Sequence, residues 1–135
     1  MAKKRVLIVD DEKSSREMAL FDLRNDYDCE MAVDAFDAYE KVCSAIIQKK
    51  PFDVVVLDEV MPDIYGTALL KIIRISEKYI PSHIGNRVKF VIVSSVESQD
   101  HLKNLYKKVM DDQCVYIKKP FDQSKLLETV KNVLA

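Results

Sequence analysis

Three short runs in this chain are apolar at every successive position or nearly so: Val6-Leu7-Ile8-Val9, Val54-Val55-Val56-Leu57 and Val88–Val93. All are rich in β-branched residues. A strand with one wet face alternates apolar and polar side chains, so an unbroken run implies a strand buried on both faces. Antiparallel hairpins rarely need that. Parallel strands do, because helical crossovers cover both sides of their sheet.

The intervening segments carry the crossovers. The expected strands are Lys4–Val9, Cys29–Val33, Asp53–Leu57, Val88–Val93 and Val115–Ile117. A first helix is expected from Ser14 or Ser15 to Asn25, capped by a Ser and buried through Met18, Phe21 and Leu23. A second, capped by Asp34, sets Tyr39, Val42, Cys43 and Ile46 on one face. A third opens at Gly66-Thr67, and Leu69, Leu70, Ile72, Ile73 and Ile75 make it apolar over a wide arc. The Pro81–Arg87 stretch reads as a loop. A fourth helix begins near Ser98 with Leu102, Leu105, Tyr106 and Val109, and Asp111-Asp112 turns into the fifth strand. Asp122 caps the last helix, which carries Leu126, Leu127, Val130, Val133 and Leu134. Right-handed crossovers then wind this alternation into a doubly wound α/β fold.

At 135 residues the chain reads as one domain over 1–135. Its net charge of −1 argues against non-specific nucleic-acid binding. Cys29, Cys43 and Cys114 lie far apart in apolar segments and read as buried thiols. With only His83 and His101, no zinc spacing can be drawn. The absence of a long apolar run or a signal-peptide core points to a cytoplasmic protein without membrane contact. Two glycines and no phosphate-cradling motif argue against a nucleotide site.

Ligands of such sheets bind beyond the carboxyl ends of the strands. Asp10, Asp11 and Glu12 follow the first strand. Asp58 and Glu59 follow the third, Ser94 and Ser95 the fourth, and Lys118, Lys119 and Pro120 the fifth. Two carboxylates about 4 Å apart repel by roughly 4 kcal/mol at an effective dielectric of about 20. A group of three therefore needs a cation or a proton. An all-oxygen set suits Mg²⁺. With the charge neutralised, a carboxylate already ionised at neutral pH attacks phosphorus without a general base, and a lysine and a hydroxyl hold the phosphoryl oxygens. Glu12 and Glu59 read as supporting or exposed acids.

Four pieces carry a resemblance: Val6–Glu12; Leu57-Asp58-Glu59-Val60-Met61-Pro62 with Gly66; Val91-Ile92-Val93-Ser94-Ser95; and Tyr116-Ile117-Lys118-Lys119-Pro120-Phe121. In this order the chain resembles the receiver domains of two-component response regulators, the family of the chemotaxis response regulator. The resemblance implies a flavodoxin-like (βα)5 fold with strand order 2-1-3-4-5. It implies that Asp58 accepts a phosphoryl group from a histidine kinase or phosphotransfer protein. Asp10, Asp11, Asp58 and the Val60 carbonyl would hold Mg²⁺, which Mn²⁺ could replace. Ser94 and Lys119 would contact the phosphoryl oxygens, the Lys119–Pro120 bond would be cis, and Ser94 with Tyr116 would form the switch. A downstream protein, or an output domain missing after Ala135, would meet the face of the fourth helix, fifth strand and last helix, while Lys103, Lys107 and Lys108 on the fourth helix read as a solvated face more readily than as a docking patch. A phosphorylation-dependent dimer is a further option.

The chain departs from the family pattern in places. The stretch from Asp58 to Ser94 is longer than usual. Val60 is apolar where many receivers carry a polar residue that places the hydrolytic water, so slow dephosphorylation is expected. Ser94 replaces the commoner Thr, and Asp111-Asp112-Gln113 stands where Gly is frequent. Two alternatives stay open. One is a phosphorylation-independent interaction module. The other is a Mg²⁺-dependent phosphohydrolase, which would want a second acid at the position of Val60.

Overall fold

β1 (Arg5–Val9), β2 (Asp28–Ala32), β3 (Val54–Asp58), β4 (Lys89–Ser94) and β5 (Cys114–Lys118) form one parallel sheet in the order β2-β1-β3-β4-β5. The computed structural model describes residues 2–79, 87–95 and 114–135. Among them are four helices: α1 (Lys13–Leu23), α2 (Ala35–Ile47), α3 (Gly66–Tyr79) and α4 (Gln123–Leu134). The expected helix from Ser98 with its lysines, both histidines, the Asp111-Asp112 turn and most of the Pro81–Arg87 loop lie outside the described residues. No described helix is long and apolar enough to cross a membrane.

The apolar runs behave as their patterning demands. Leu7, Val9, Val55, Leu57, Phe90 and Ile92 face one cluster with α2 and α3. Val6, Ile8, Val54, Val56, Val91 and Val93 face the other with Leu23 of α1 and Leu126 and Val130 of α4. Each fully buried aliphatic side chain contributes about 1.5–3 kcal/mol, so both faces resist a register slip. None of the three cysteines is in a disulfide; Cys114 is buried, whereas Cys29 and Cys43 are only half-buried.

Two helices depart from expectation. In α1 no Ser caps the start: the helix begins at Lys13 behind Glu12, whose side chain makes no capping bond. Met18 and Phe21 are exposed, and Leu23 is buried with half-buried Ala19 and Leu20 beside it. The small Ala19 lets that side approach the sheet, and the Arg24 guanidinium lies 5.0 Å over the outward Phe21 ring. In α3 only Leu69, Leu70 and Ile73 of the expected apolar set are buried; Ile72 and Ile75 are exposed.

Toward its C-terminal end the inner face of α3 is charged. Arg74 Nη1 meets Glu77 Oε1 at 2.7 Å, and Glu77 Oε2 accepts the Val88 N–H at 2.8 Å. Arg74 also stacks 5.0 Å from the Phe90 ring. Buried charges persist only when paired and hydrogen-bonded. This pair spends its bonding on fastening the end of α3 to the start of β4. α2 behaves as read: Asp34 accepts the Asp37 N–H at 2.8 Å. At the other end of α2, Lys49 adopts the left-handed conformation that ends the helix.

Candidate functional site

The strand order reverses at β1, whose neighbours are β2 and β3. A crevice opens there at the carboxyl edge, because successive crossovers leave to opposite faces. Val9 pairs with Leu57, so the residues after them, Asp10 and Asp58, emerge side by side. Asp58 itself belongs to β3, paired with Val93. Backbone bonding continues beyond the strands: Asp10 N–H donates to the Ala32 carbonyl at 3.2 Å, Glu59 N–H to Val93 at 3.0 Å, and Lys119 N–H to Ser94 at 2.8 Å. These bonds fix the site by backbone geometry before any side chain is considered.

One carboxylate oxygen from each of Asp10, Asp11 and Asp58 lies within 4.8 Å of the others. Lys119 Nζ lies 3.6 Å from Asp10 Oδ2 and 3.8 Å from Asp58 Oδ1. These are ion pairs at longer than hydrogen-bond length. Asp10 is buried and Asp11 exposed. The Asp10 Oδ1 accepts the Glu12 N–H at 2.9 Å, and its carbonyl accepts Arg16 Nη1 at 2.8 Å.

Burial pushes the Asp58 carboxyl up to about 6. The Lys119 ammonium and the Val60 N–H oppose that rise, while Asp10 and Asp11 add to it. Burial likewise raises Asp10 above the usual carboxylate range, against the Glu12 N–H and Lys119. Among the described residues the Lys119 ammonium pairs with two of the three acids, Asp10 and Asp58, and leaves the group short of positive charge. Three convergent carboxylates, with no sulfur or imidazole beside them among the described residues, form the donor set of a hard, oxygen-seeking divalent cation.

The remaining predicted residues lie on β4, on β5 and in the segments that follow β3 and β5. Ser94 closes β4 and is fully buried. Val60 is half exposed. Tyr116 is half-buried against the α2/α3 core and is paired with Ile92 across the sheet. The Lys119–Pro120 peptide is cis. A cavity of about 250 Å³ opens next to the acids, lined by Met18, Ala19, Phe121 and Leu126 together with Asp10, Asp58 and Lys119.

Two residues have roles that the sequence did not reveal: Glu59, expected only as a supporting or exposed acid, and Asp63. Glu59 is 1% exposed. It accepts the Thr67 N–H at 2.7 Å and the Thr67 hydroxyl at 3.1 Å, so it caps α3 from the strand end. A signal existed: the residue before Gly66 is Tyr65, which cannot cap, so α3 required a remote acceptor. Asp63 accepts the Phe36 N–H at 3.0 Å, the Ala35 N–H at 3.3 Å and the Ile64 N–H at 3.0 Å. Those N–H groups hold its carboxyl below the usual range. It ties the loop after Asp58 to the start of α2. Gly66 is needed where it stands, because a Cβ there would lie 2.6 Å from the Asp58 carbonyl oxygen.

No curated protein sequence matches the chain. Among solved structures it is similar to chemotaxis protein CheY4 of Vibrio cholerae, at 30% identity and a TM-score of 0.77, covering 98% of this chain and 100% of that one. It is similar to a CheY-like receiver domain protein of Methanospirillum hungatei, at 28% identity and a TM-score of 0.75, covering 98% and 94%. It is also similar to the response regulator TrrA of Thermotoga maritima, solved in complex with Mg²⁺-BeF, at 28% identity and a TM-score of 0.75, covering 97% and 99%. The response regulator receiver domain model matches residues 6–131, and the chain therefore belongs to that family of two-component signalling modules.

Proposed function

We propose that the protein is a phosphoacceptor switch in a two-component phosphorelay, with Asp58 as the acceptor. The observation that carries this reading is the placement of Asp58 within ion-pair distance of Lys119 and beside two further carboxylates at the crevice of the sheet. One carboxylate oxygen of Asp58 attacks the phosphorus of a phosphohistidine on a histidine kinase or phosphotransfer protein. The O–P bond forms as the N–P bond breaks, and the imidazole nitrogen leaves with the electron pair and takes a proton from water.

Asp10, Asp11, Asp58 and the Val60 carbonyl would hold Mg²⁺, with Mn²⁺ as a substitute. Once bound, the cation neutralises the acids and the incoming phosphoryl oxygens. TrrA, a relative at 28% identity, was solved with Mg²⁺-BeF, which is consistent with that assignment. Lys119 pairs with a phosphoryl oxygen, and the Ser94 hydroxyl donates to another. As Ser94 moves toward the added charge, Tyr116 follows it inward and the surface around β5 and α4 changes for a downstream protein or output domain. Such a domain handles its own phosphorylation and dephosphorylation in the cytoplasm and turns over no external substrate.

Incubation with acetyl phosphate and Mg²⁺ adds one phosphate to the wild type and none to Asp58→Asn. Equal labelling of the two would remove Asp58 from this role.

A further inference from the structure

Along the outer side of α3, Ala68, Ile72, Ile75 and Tyr79, with Tyr65 just ahead of the helix, recur at alternating spacings of three and four, the a and d positions of a heptad. All five are exposed, with Tyr65 at 64%, Ile75 at 49% and Tyr79 at 79%. The core does not account for them. A helix on a sheet needs one apolar stripe, and α3 already supplies it through Leu69, Leu70 and Ile73 on the opposite side. The second stripe spans the 14 residues of the helix, about 21 Å at 1.5 Å per residue.

α2 widens this face. The Tyr39 hydroxyl meets the Ser76 hydroxyl at 2.9 Å, so the two helices lie side by side. Phe36 and Ile47, near the two ends of α2, are 68% and 64% exposed. Asp63, bonded to the Phe36 N–H, holds that end of α2 against the loop leading into α3. The opposite edge of the stripe is basic: Lys71 and Lys78, immediately before Ile72 and Tyr79, are both exposed. They occupy g positions, which set partner choice through charge.

We infer that this face docks an amphipathic helix of a partner protein, one with an apolar a/d stripe edged by Asp or Glu against Lys71 and Lys78. A second copy of this chain is a poor occupant. Antiparallel pairing of two such stripes brings the g positions together, lysine against lysine. Parallel pairing needs the e positions, and here Leu69 is buried while Ser76 is engaged by Tyr39. The surface is separate from the face at β5 and α4 and does not depend on the chemistry of Asp58.

The test is fluorescence anisotropy of the full chain against a labelled three-heptad peptide with Leu at a and d and Glu at e and g. The control is the same peptide with Lys at e and g. The Glu-edged peptide binds saturably and the Lys-edged one at least about tenfold more weakly. Ile75→Ser lowers affinity for the Glu-edged peptide about tenfold or more. The double variant Lys71→Glu/Lys78→Glu reverses the peptide preference. Because all three positions are exposed, both variants keep the wild-type melting temperature and the wild-type labelling by acetyl phosphate. Equal binding of the two peptides, absence of binding by the Glu-edged one, or undiminished binding by Ile75→Ser overturns the inference. So does a dimer in sedimentation that Ile75→Ser dissociates, since it assigns the face to a second copy.

Discussion

Lys119 Nζ stands 3.8 Å from Asp58 Oδ1, at ion-pair distance but short of a hydrogen bond. Among the described residues it is the cation that holds the Asp58 carboxyl down against burial and two neighbouring acids. Replacing it by the similarly long, neutral side chain in Lys119→Met leaves only the raising influences and the Val60 N–H. The Asp58 carboxyl then titrates above about 6, as followed by carboxyl-carbon NMR. The same change removes a cation that competes for the acids, so Mg²⁺ binds several-fold more tightly while phosphoryl transfer slows. A lower Asp58 titration point in the variant would contradict this account.

The raised carboxyls make stability depend on pH with a definite sign. Asp58 titrates near 6 in the fold against 3.8 for an ordinary Asp. Between those values the folded state binds more protons than the unfolded chain, so stability declines as pH rises through the window. Asp10, also raised, contributes in the same direction. Urea titrations without metal should show the protein less stable at pH 7 than at pH 5. Asp58→Asn flattens much of that slope and is more stable than wild type at pH 7 by on the order of 1 kcal/mol. Mg²⁺ acts in reverse, because it binds deprotonated carboxylates. Its stabilising effect is larger at pH 7 than at pH 5, and an equal effect at both would show that the cation binds elsewhere.

β1, β3 and β4 were legible in the sequence because burial on both faces leaves a nearly unbroken apolar signature. Their limits shifted by about one residue where backbone pairing, invisible to side-chain patterning, carries Asp58 and Ser94 into the ladder. The clustering of Asp10, Asp11, Asp58 and Lys119 was legible for a topological reason: a parallel doubly wound sheet sends all its strand ends to one edge. The buried face of α1 was not. Met18 and Phe21 are the larger apolar residues, yet the smaller Ala19 and the Leu20–Leu23 pair set the approach to the sheet. The Arg74–Glu77 pair was equally hidden, since two adjacent opposite charges on a helix usually mark a wet face.

Glu59 offers a sharper check of what holds the acid-bearing loop. Its buried carboxylate satisfies both the Thr67 N–H and hydroxyl. Glu59→Ala leaves those donors unpaired inside the protein and removes the cap of α3, destabilising the fold by roughly 2 kcal/mol. Glu59→Gln keeps an oxygen acceptor and loses about half as much. Chemical denaturation of the two variants settles it: equal losses would mean that the negative charge, rather than the acceptor, is what the site requires.

Gly66 extends the same reasoning to the backbone. It opens α3 directly against the end of β3, where its N–H donates to the Glu59 carbonyl at 2.8 Å. A methyl group there would sit 2.6 Å from the Asp58 carbonyl oxygen and 3.1 Å from the Glu59 Cα. Both obstacles are backbone, so neither can rotate away. Gly66→Ala must push α3 outward or displace the Asp58–Val60 segment. The expected cost is about 1–3 kcal/mol of stability. Displacement of that segment would also weaken Mg²⁺ binding, because Asp58 carries one of the three clustered carboxylates. Calorimetric titration with Mg²⁺, read beside the melting temperature, separates the two responses. A variant that loses stability but binds Mg²⁺ as wild type has moved the helix. One that loses both has moved the strand end. A variant that loses neither would show that the close approach of α3 to β3 is not what Gly66 provides.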